Sequence, residues 1–230
     1  MKNILFITSL LLSFLSASAQ ESYTIKMQVR MEGLPPEYAA YGDQEITTYI
    51  KGKKSKTELS SAMYSSIIYF DGEKITTLND MMGNKSGYTA TKSEMEAMDK
   101  SDKKDQPKIE YTKEKKMIAG YECTKAIITS AGKDGVPTSI VAWVTEKIKT
   151  DKVHNSASNR NTNLGDLKGQ PLEMEMSHSS QGQDVKVIMT TTEISTDAVP
   201  DSTFVANTEG YQMSTFKEWQ EQMKAMGAGN

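Results

Sequence analysis

Two histidines, one cysteine and scattered acidic residues are the raw material for chemistry in this chain, and their spacing limits what they can do. His154 and His178 stand 24 residues apart with no His-Glu-x-x-His arrangement, so the clustered ligands of a hydrolytic metal are missing. His154 falls in a polar run and His178 at a strand end, where both read as solvated side chains. Cys123 has no second cysteine and no nearby histidine to activate it, and it reads as a small buried hydrophobe. No Gly-x-Ser-x-Gly elbow presents a nucleophilic serine. Gly132 and Gly135 lead into a strand rather than a helix, which removes a phosphate cradle. Glu173 and Glu175 share one strand face as a carboxylate pair would, but opposite Leu172, Met174 and Met176 they form a solvated edge. No constellation of nucleophile, base or metal ligands can be named, so the expectation is a non-enzymatic protein without cofactor or metal.

Methionine is the feature that remains: the chain has 15 Met against 5 Phe. Strand alternation projects Met27, Met31, Met174, Met176 and Met189 to an apolar side. Together with Ile25, Val29, Trp143, Leu172 and Val187 they are the candidate lining of a hydrophobic-ligand site. Unbranched thioethers repack easily, so such a lining accepts flexible apolar ligands such as acyl chains; the competing reading is a filled core with no cavity. Met81 and Met82, between Asp80 and Gly83, fall at a strand or hairpin tip that either touches a membrane or partner protein or folds back onto the core.

Strands must position these side chains. Tyr23, Ile25, Met27, Val29 and Met31 alternate without a break with Thr24, Lys26, Gln28 and Arg30, the period-two pattern of a strand with one wet face. The pattern returns at Leu172, Met174 and Met176 and at Val185, Val187 and Met189. Less regular strands are expected at residues 45–51, 54–61, 66–70, 74–78, 85–90, 109–111, 121–130 and 138–147. Asp71-Gly72 marks a tight hairpin turn, and Gly132, Asp134 and Gly135 mark another, which predicts an antiparallel meander. Two short helices are expected. One covers residues 93–103, with Ser93 and Glu96 as a capping box and Pro107 beyond its end. The other begins with the box Thr215 and Glu218 and carries Phe216, Trp219, Met223 and Met226 on one stripe. The polar run 150–163 has no apolar rhythm and reads as a loop or lid.

About ten one-sided strands make a sheet too broad for two small helices to cover while it stays flat. Twist and exposed edges push such a sheet to curl, so the expected fold is mainly β: a large curved antiparallel sheet forming a half-open barrel with short helices on its concave face. A closed lipocalin-type barrel is the alternative.

Residues 1–19 read as a secretory leader: a positive start at Lys2, an apolar run from Ile4, and the small residues Ala17-Ser18-Ala19 before Gln20. Serines dilute the run below the roughly 20 apolar residues of a membrane span, and no later stretch exceeds strand length. Its removal leaves 211 residues, sized for a single domain at 20–230, and moves the formal net charge from −3 to −4. Interspersed charges of both signs and that weak acidity argue against nucleic acid as a partner, which would need a basic stripe. The expected location is the periplasm, with the cell exterior as the alternative.

Five segments share a known pattern: Met31-Glu32-Gly33-Leu34-Pro35-Pro36, Tyr49-Ile50-Lys51-Gly52, Ile118-Ala119-Gly120-Tyr121-Glu122-Cys123, Leu167-Lys168-Gly169-Gln170-Pro171-Leu172-Glu173 and Val199-Pro200-Asp201-Ser202-Thr203-Phe204. In their order and spacing they resemble an uncharacterised family of exported proteins from Bacteroidetes-type Gram-negative bacteria. The resemblance covers nearly the whole chain after the leader. It implies an architecture similar to periplasmic lipoprotein carriers of the LolA and LppX type, half-barrels that hold acyl chains against an apolar concave face. It brings no catalytic residues.

Overall fold

The computed structural model describes residues 21–34, 43–101, 107–131, 137–148, 164, 166–180 and 183–225. Residues 1–20, the expected turn at 132–136 and the polar run 150–163 with His154 lie outside the described residues, as do Met226 and the side chains of Met98 and His178.

Alternation builds the strands. The unbroken pattern at Tyr23 becomes β1 (Ser22–Glu32), and the hairpin sequence that follows gives β2 (Asp43–Lys51), β3 (Lys54–Ser60), β4 (Tyr64–Phe70), β5 (Lys74–Met81) and β6 (Asn84–Thr91). Helix α1 (Lys92–Ser101) comes next, then β7 (Lys108–Ile118), β8 (Tyr121–Ala131), β9 (Pro137–Thr145), β10 (Gln170–Ser180) and β11 (Gln183–Ser195). A 3-10 turn (Asp201–Phe204), β12 (Gln212–Thr215) and helix α2 (Phe216–Ala225) complete the described chain. The Asp71-Gly72 turn forms as expected: the Asp71 carboxylate accepts the backbone N–H of Glu73 and of Lys74 at 2.9 and 2.8 Å, and Gly72 takes φ +107°.

All twelve strands join one sheet in the order β12-β6-β5-β4-β3-β2-β1-β11-β10-β9-β8-β7. The two edges, β12 and β7, do not pair, so the sheet is an open half-barrel rather than a closed one. Sequential neighbours run antiparallel. The β1–β11 joint between the two meanders is also antiparallel. The exception is β12, which the alternation pattern does not reveal: only four residues long, it pairs parallel with β6. A parallel partner requires a crossover. The chain after β11 travels from mid-sheet to the far edge, pinned on the way by Asp201, whose carboxylate meets Lys51 at 3.2 Å and Lys54 at 3.6 Å. Pro171 sits within β10 where the ladder to β9 is interrupted by a register shift, a place where its missing N–H costs no ladder bond.

The inner face is the one that carries the helices. A continuous cross-sheet row, Ile25–Thr48–Thr57–Ile68–Thr77–Tyr88, defines it from β1 to β6. At the β4–β6 end, Met95 of α1 and Phe216 and Trp219 of α2 pack onto Phe70, Ile75, Tyr88 and Ala90. Trp219 stacks on Tyr88 with ring centroids 4.5 Å apart and on Phe216 at 5.6 Å.

Both helices begin with reciprocal caps. At α2 the box is the expected one: Thr215 donates its backbone N–H and hydroxyl to the Glu218 carboxylate at 2.7 and 2.8 Å, and the Glu218 N–H returns to the Thr215 hydroxyl at 3.3 Å. At α1 the box is Thr91 and Glu94, and the helix starts at Lys92, one residue before the expected Ser93; the Glu96 side chain of the expected box lies outside the described residues. The bonds from the Thr215 backbone and then its hydroxyl hold the Glu218 carboxyl below its ordinary range. A carboxyl depressed in the folded state stabilises above its unfolded pKa and loses that contribution as pH falls through the folded one. Acidification below the ordinary carboxylate range is therefore expected to loosen α2, read as a red shift of Trp219 emission, and Glu218→Gln to flatten that pH dependence.

Candidate functional site

Register fixes where the candidate lining residues stand. Across β1, β11 and β10 the inner face carries a panel with three rows: Met27–Thr191, then Val29–Met189–Met174, then Met31–Val187–Met176. Ala142 and Ile140 of β9 continue the second and third rows. Every side chain in this panel is uncharged, and Met189 sits at its centre. Directly opposed Cβ atoms in such a ladder lie about 5 Å apart and diagonal ones about 7 Å, distances a thioether side chain spans. Val29 and Met174 are buried at 3% and 2% exposure, whereas Met27, Met31, Met176, Val187 and Met189 are only partly buried. Leu164 and Leu167 pack over the β8–β10 end beside Met174, Met176 and Met189. Ile25 and Leu172 are fully buried in an adjoining cluster with Ile50, Cys123 and Ile148, against which Met27 packs.

The helices lie elsewhere on this face. They pack directly on β4–β6, so that end is filled core, and the methionine panel stands outside their cover.

Trp143 does not join the panel. It pairs with Glu173 on one side and Lys125 on the other, whereas Met174 pairs with Ala142, so, while the indole still packs against the buried cluster of Ile25, Cys123 and Leu172, the register turns it to the face opposite the panel rows. There the Lys116 ammonium lies 4.4 Å from the ring centroid and bonds Glu173 at 2.6 Å, while Lys125 reaches Glu114 at 2.9 Å. A tryptophan in an apolar run (Ile140 to Val144) looks inward on hydrophobicity alone; strand parity decides otherwise. Glu173 and Glu175 are each held by a lysine on that outer face, the latter by Lys186 at 2.8 Å. Cys123 is fully buried, and desolvation pushes its thiol pKa up, the opposite of what a reactive thiolate needs. Among the described residues no group of three or more His, Cys, Asp or Glu could hold a metal ion, and no helix is long and apolar enough to cross a membrane.

Alternation of apolar residues gives no sign of the hydroxyls on the inner face. Thr48, Thr57, Thr77 and Thr191 are all buried there. Thr48 and Thr57 share a hydrogen bond at 3.2 Å. The Thr191 hydroxyl, on a residue 4% exposed, has no partner among the described residues. The legible signal was the pair Thr47-Thr48 and the run Thr190-Thr191-Thr192, where β-branched hydroxyl residues replace the expected aliphatic ones.

An open surface depression of about 410 Å³ lies at the ends of the β3–β4 and β5–β6 hairpins, lined by Ser61, Met63, Tyr64, Asp80 and Met82 among others. Met81 and Met82 at this tip are 58% and 73% exposed. Met82 and Gly83 take φ of +54° and +89°, the two positive values of a type I′ turn, and the Asp80 carboxylate accepts the Gly83 N–H at 2.8 Å. Asn is the ordinary first residue of such a turn. Met82→Asn is therefore expected to raise stability in urea by about 0.5–1 kcal/mol, and a loss would show that the Met82 side chain packs in the folded protein.

No protein-family model matches the chain, and no curated protein matches it. Among solved structures it is similar to PNGF-II, at 13% identity and TM-score 0.49 over 89% of this chain and 33% of that one. The chain thus spans about a third of the length of PNGF-II. An uncharacterised conserved protein from Thermus thermophilus matches at 8% identity and TM-score 0.47, over 85% of this chain and 91% of that one. The Mycobacterium tuberculosis lipoprotein LppX matches at 10% identity and TM-score 0.36, over 77% and 88%. Function is not carried across likenesses of this depth, and the half-barrel rests on the strand order itself.

Proposed function

We propose that this chain is an exported, non-enzymatic periplasmic protein that shelters a lipid, a lipoprotein acyl chain or another hydrophobic molecule on the inner face of its half-barrel. The observation that carries this reading is the methionine panel: an uncharged surface on three adjacent strands, on the helix-bearing face yet outside the helices' cover, with most of its methionines only partly buried. Partly exposed thioethers on a rigid sheet give a surface that adapts to a flexible chain without moving the backbone. Its candidate residues are Ile25, Met27, Val29, Met31, Leu172, Met174, Met176, Val187 and Met189, in one domain that spans 20–230 once residues 1–19 are removed.

The test is direct. The protein, expressed with its leader and purified from a Gram-negative periplasm, is extracted with chloroform–methanol and the extract examined by mass spectrometry. A co-purifying lipid, or uptake of the apolar dye N-phenyl-1-naphthylamine by the delipidated protein, is the expected result. Lipid-free protein that takes up no dye would overturn the reading.

The Met82 tip favours a second reading, an envelope module that works by contact with a partner or a membrane. An exposed apolar residue holding an αL position beside an open surface depression is a feature that packing alone does not require. Replacing Met81 and Met82 together by Ser would abolish that contact in an envelope pull-down while leaving dye uptake intact.

A further inference from the structure

The methionine panel holds one polar group without a partner among the described residues, and its surroundings specify what could satisfy it. Thr191 pairs across the ladder with Met27, on the same face as Val29, Met189 and Met174 one row away. Its hydroxyl is buried and has no hydrogen-bond partner among the described residues, whereas its neighbour Thr192 donates to the Lys26 carbonyl at 3.3 Å. A buried hydroxyl left unsatisfied costs free energy in the unliganded protein, and a valine of the same shape would not. The position lies at the ladder irregularity between Lys26 and Met27, where two residues of β11 meet one step of β1. Such bulges re-aim side chains and recur beside functional sites.

Resting on the proposed hydrophobic-ligand function, we infer that Thr191 is the polar anchor of the panel and that its ligand is an acyl group bearing a neutral carbonyl, an ester or amide rather than a free carboxylate. The hydroxyl donates to the carbonyl oxygen, and the chain runs along β11 over Met189 toward the Met31–Val187–Met176 row. That path covers four residues, about 13 Å at 3.3 Å per residue. The neutral form follows from the panel's composition. The lysines nearest in sequence, Lys26 and Lys186, are on the outer face and already bonded to Glu193 and Glu175 at 2.8 Å each. Among the described residues no cation stands on the panel, so a buried carboxylate would have no counter-charge there, while a carbonyl asks for one donor and finds it.

The experiment uses competition against bound N-phenyl-1-naphthylamine by methyl dodecanoate, dodecanoate and dodecane at neutral pH. The wild type is expected to prefer methyl dodecanoate to dodecanoate. In T191V the ester's affinity falls about tenfold, the size of one hydrogen bond, with dodecane unchanged and the urea midpoint raised, while T191S keeps the ester's affinity. Equal ester affinity in T191V and wild type, with dye still bound, overturns the anchor but leaves the hydrophobic-ligand reading standing. A lowered midpoint in T191V also overturns it, because it shows that the hydroxyl has a protein partner. Absence of dye uptake in every variant overturns the function on which the anchor rests and the anchor with it. A diacyl phospholipid and a synthetic triacylated lipopeptide as further competitors separate the two sources of the carbonyl: T191V-sensitive displacement by the first names a membrane lipid, by the second a lipoprotein, and insensitivity to both overturns the anchor.

Discussion

Met189→Lys is expected to lower uptake of an apolar probe by more than tenfold while leaving the fold intact. Met189 is the centre of the panel, with Val29 and Met174 directly across on either side. It is only partly buried, so a lysine stem can lie along the same surface and carry its ammonium out to water, which limits the cost in stability to about 1 kcal/mol. An acyl chain laid over that ammonium would have to strip it of water, a penalty of several kcal/mol with no acid on the panel to offset it. Lys186→Met, on the opposite face of the same strand, is the control and should leave uptake unchanged. Dye fluorescence titration together with a urea melt separates the two effects. Undiminished uptake in Met189→Lys would show that the panel is not where the probe binds.

Phe216→Ala carries the largest expected cost in stability, about 3–5 kcal/mol. Phe216 is 5% exposed, opens α2, and completes the aromatic trio with Tyr88 and Trp219 that joins the helix to the sheet. Its removal leaves a cavity at a place where the backbone cannot easily collapse, because the preceding strand β12 is hydrogen-bonded to β6. Urea unfolding followed by Trp219 emission measures the loss. A cost below about 1 kcal/mol would mean that Trp219 alone holds the helix.

The strands from β1 to β11 were legible where one-sided burial leaves a period-two signature, clear in β1 and weaker where Thr replaces aliphatics, as in β2 and β3; of β7 (Lys108–Ile118) only residues 109–111 were read, because most of its side chains are exposed. The second helix was legible from its polar start, Thr215 followed three residues later by Glu218, whereas at the first the start was read at Ser93 and the box that forms is Thr91 with Glu94. β12 was not: four residues, Gln-Met-Ser-Thr, exposed at an edge and paired parallel, carry no pattern of their own and exist because β6 offers them a ladder. The panel was legible up to parity. Seven of the ten candidate residues stand in its rows, Ile25 and Leu172 are buried in the adjoining cluster, and Trp143 falls on the other strand parity because its run is apolar on both faces. The run Thr190-Thr191-Thr192 signals a hydroxyl at this place in β11, but whether the Thr191 hydroxyl has a partner cannot be read from sequence.

The recurring motif segments have structural work of their own. Ala119 and Gly120 take φ of +47° and +84° in the β7–β8 turn, so that segment encodes a hairpin. Gly169 has φ +89°, and a Cβ there would run into the backbone carbonyl of Thr145 on the neighbouring strand. Asp201 of the fifth segment pins the crossover to the hairpin that carries Gly52. Such segments specify how the sheet is assembled.

β1 lies in the middle of the sheet, with its outer partner β11 supplied from more than 150 residues further along, as the Lys26–Glu193 pair shows at a separation of 167. Each flanking meander can zip up from neighbouring hairpins, but joining them must wait for this one long-range closure. The entropy of that closure is met before its contacts repay it. Refolding should accordingly be slow and limited by a single late step. A chain exported as proposed, synthesised in one compartment and completed in another, gains from this order of events: until β11 has been delivered, the half-barrel has no stable centre and the polypeptide stays threadable.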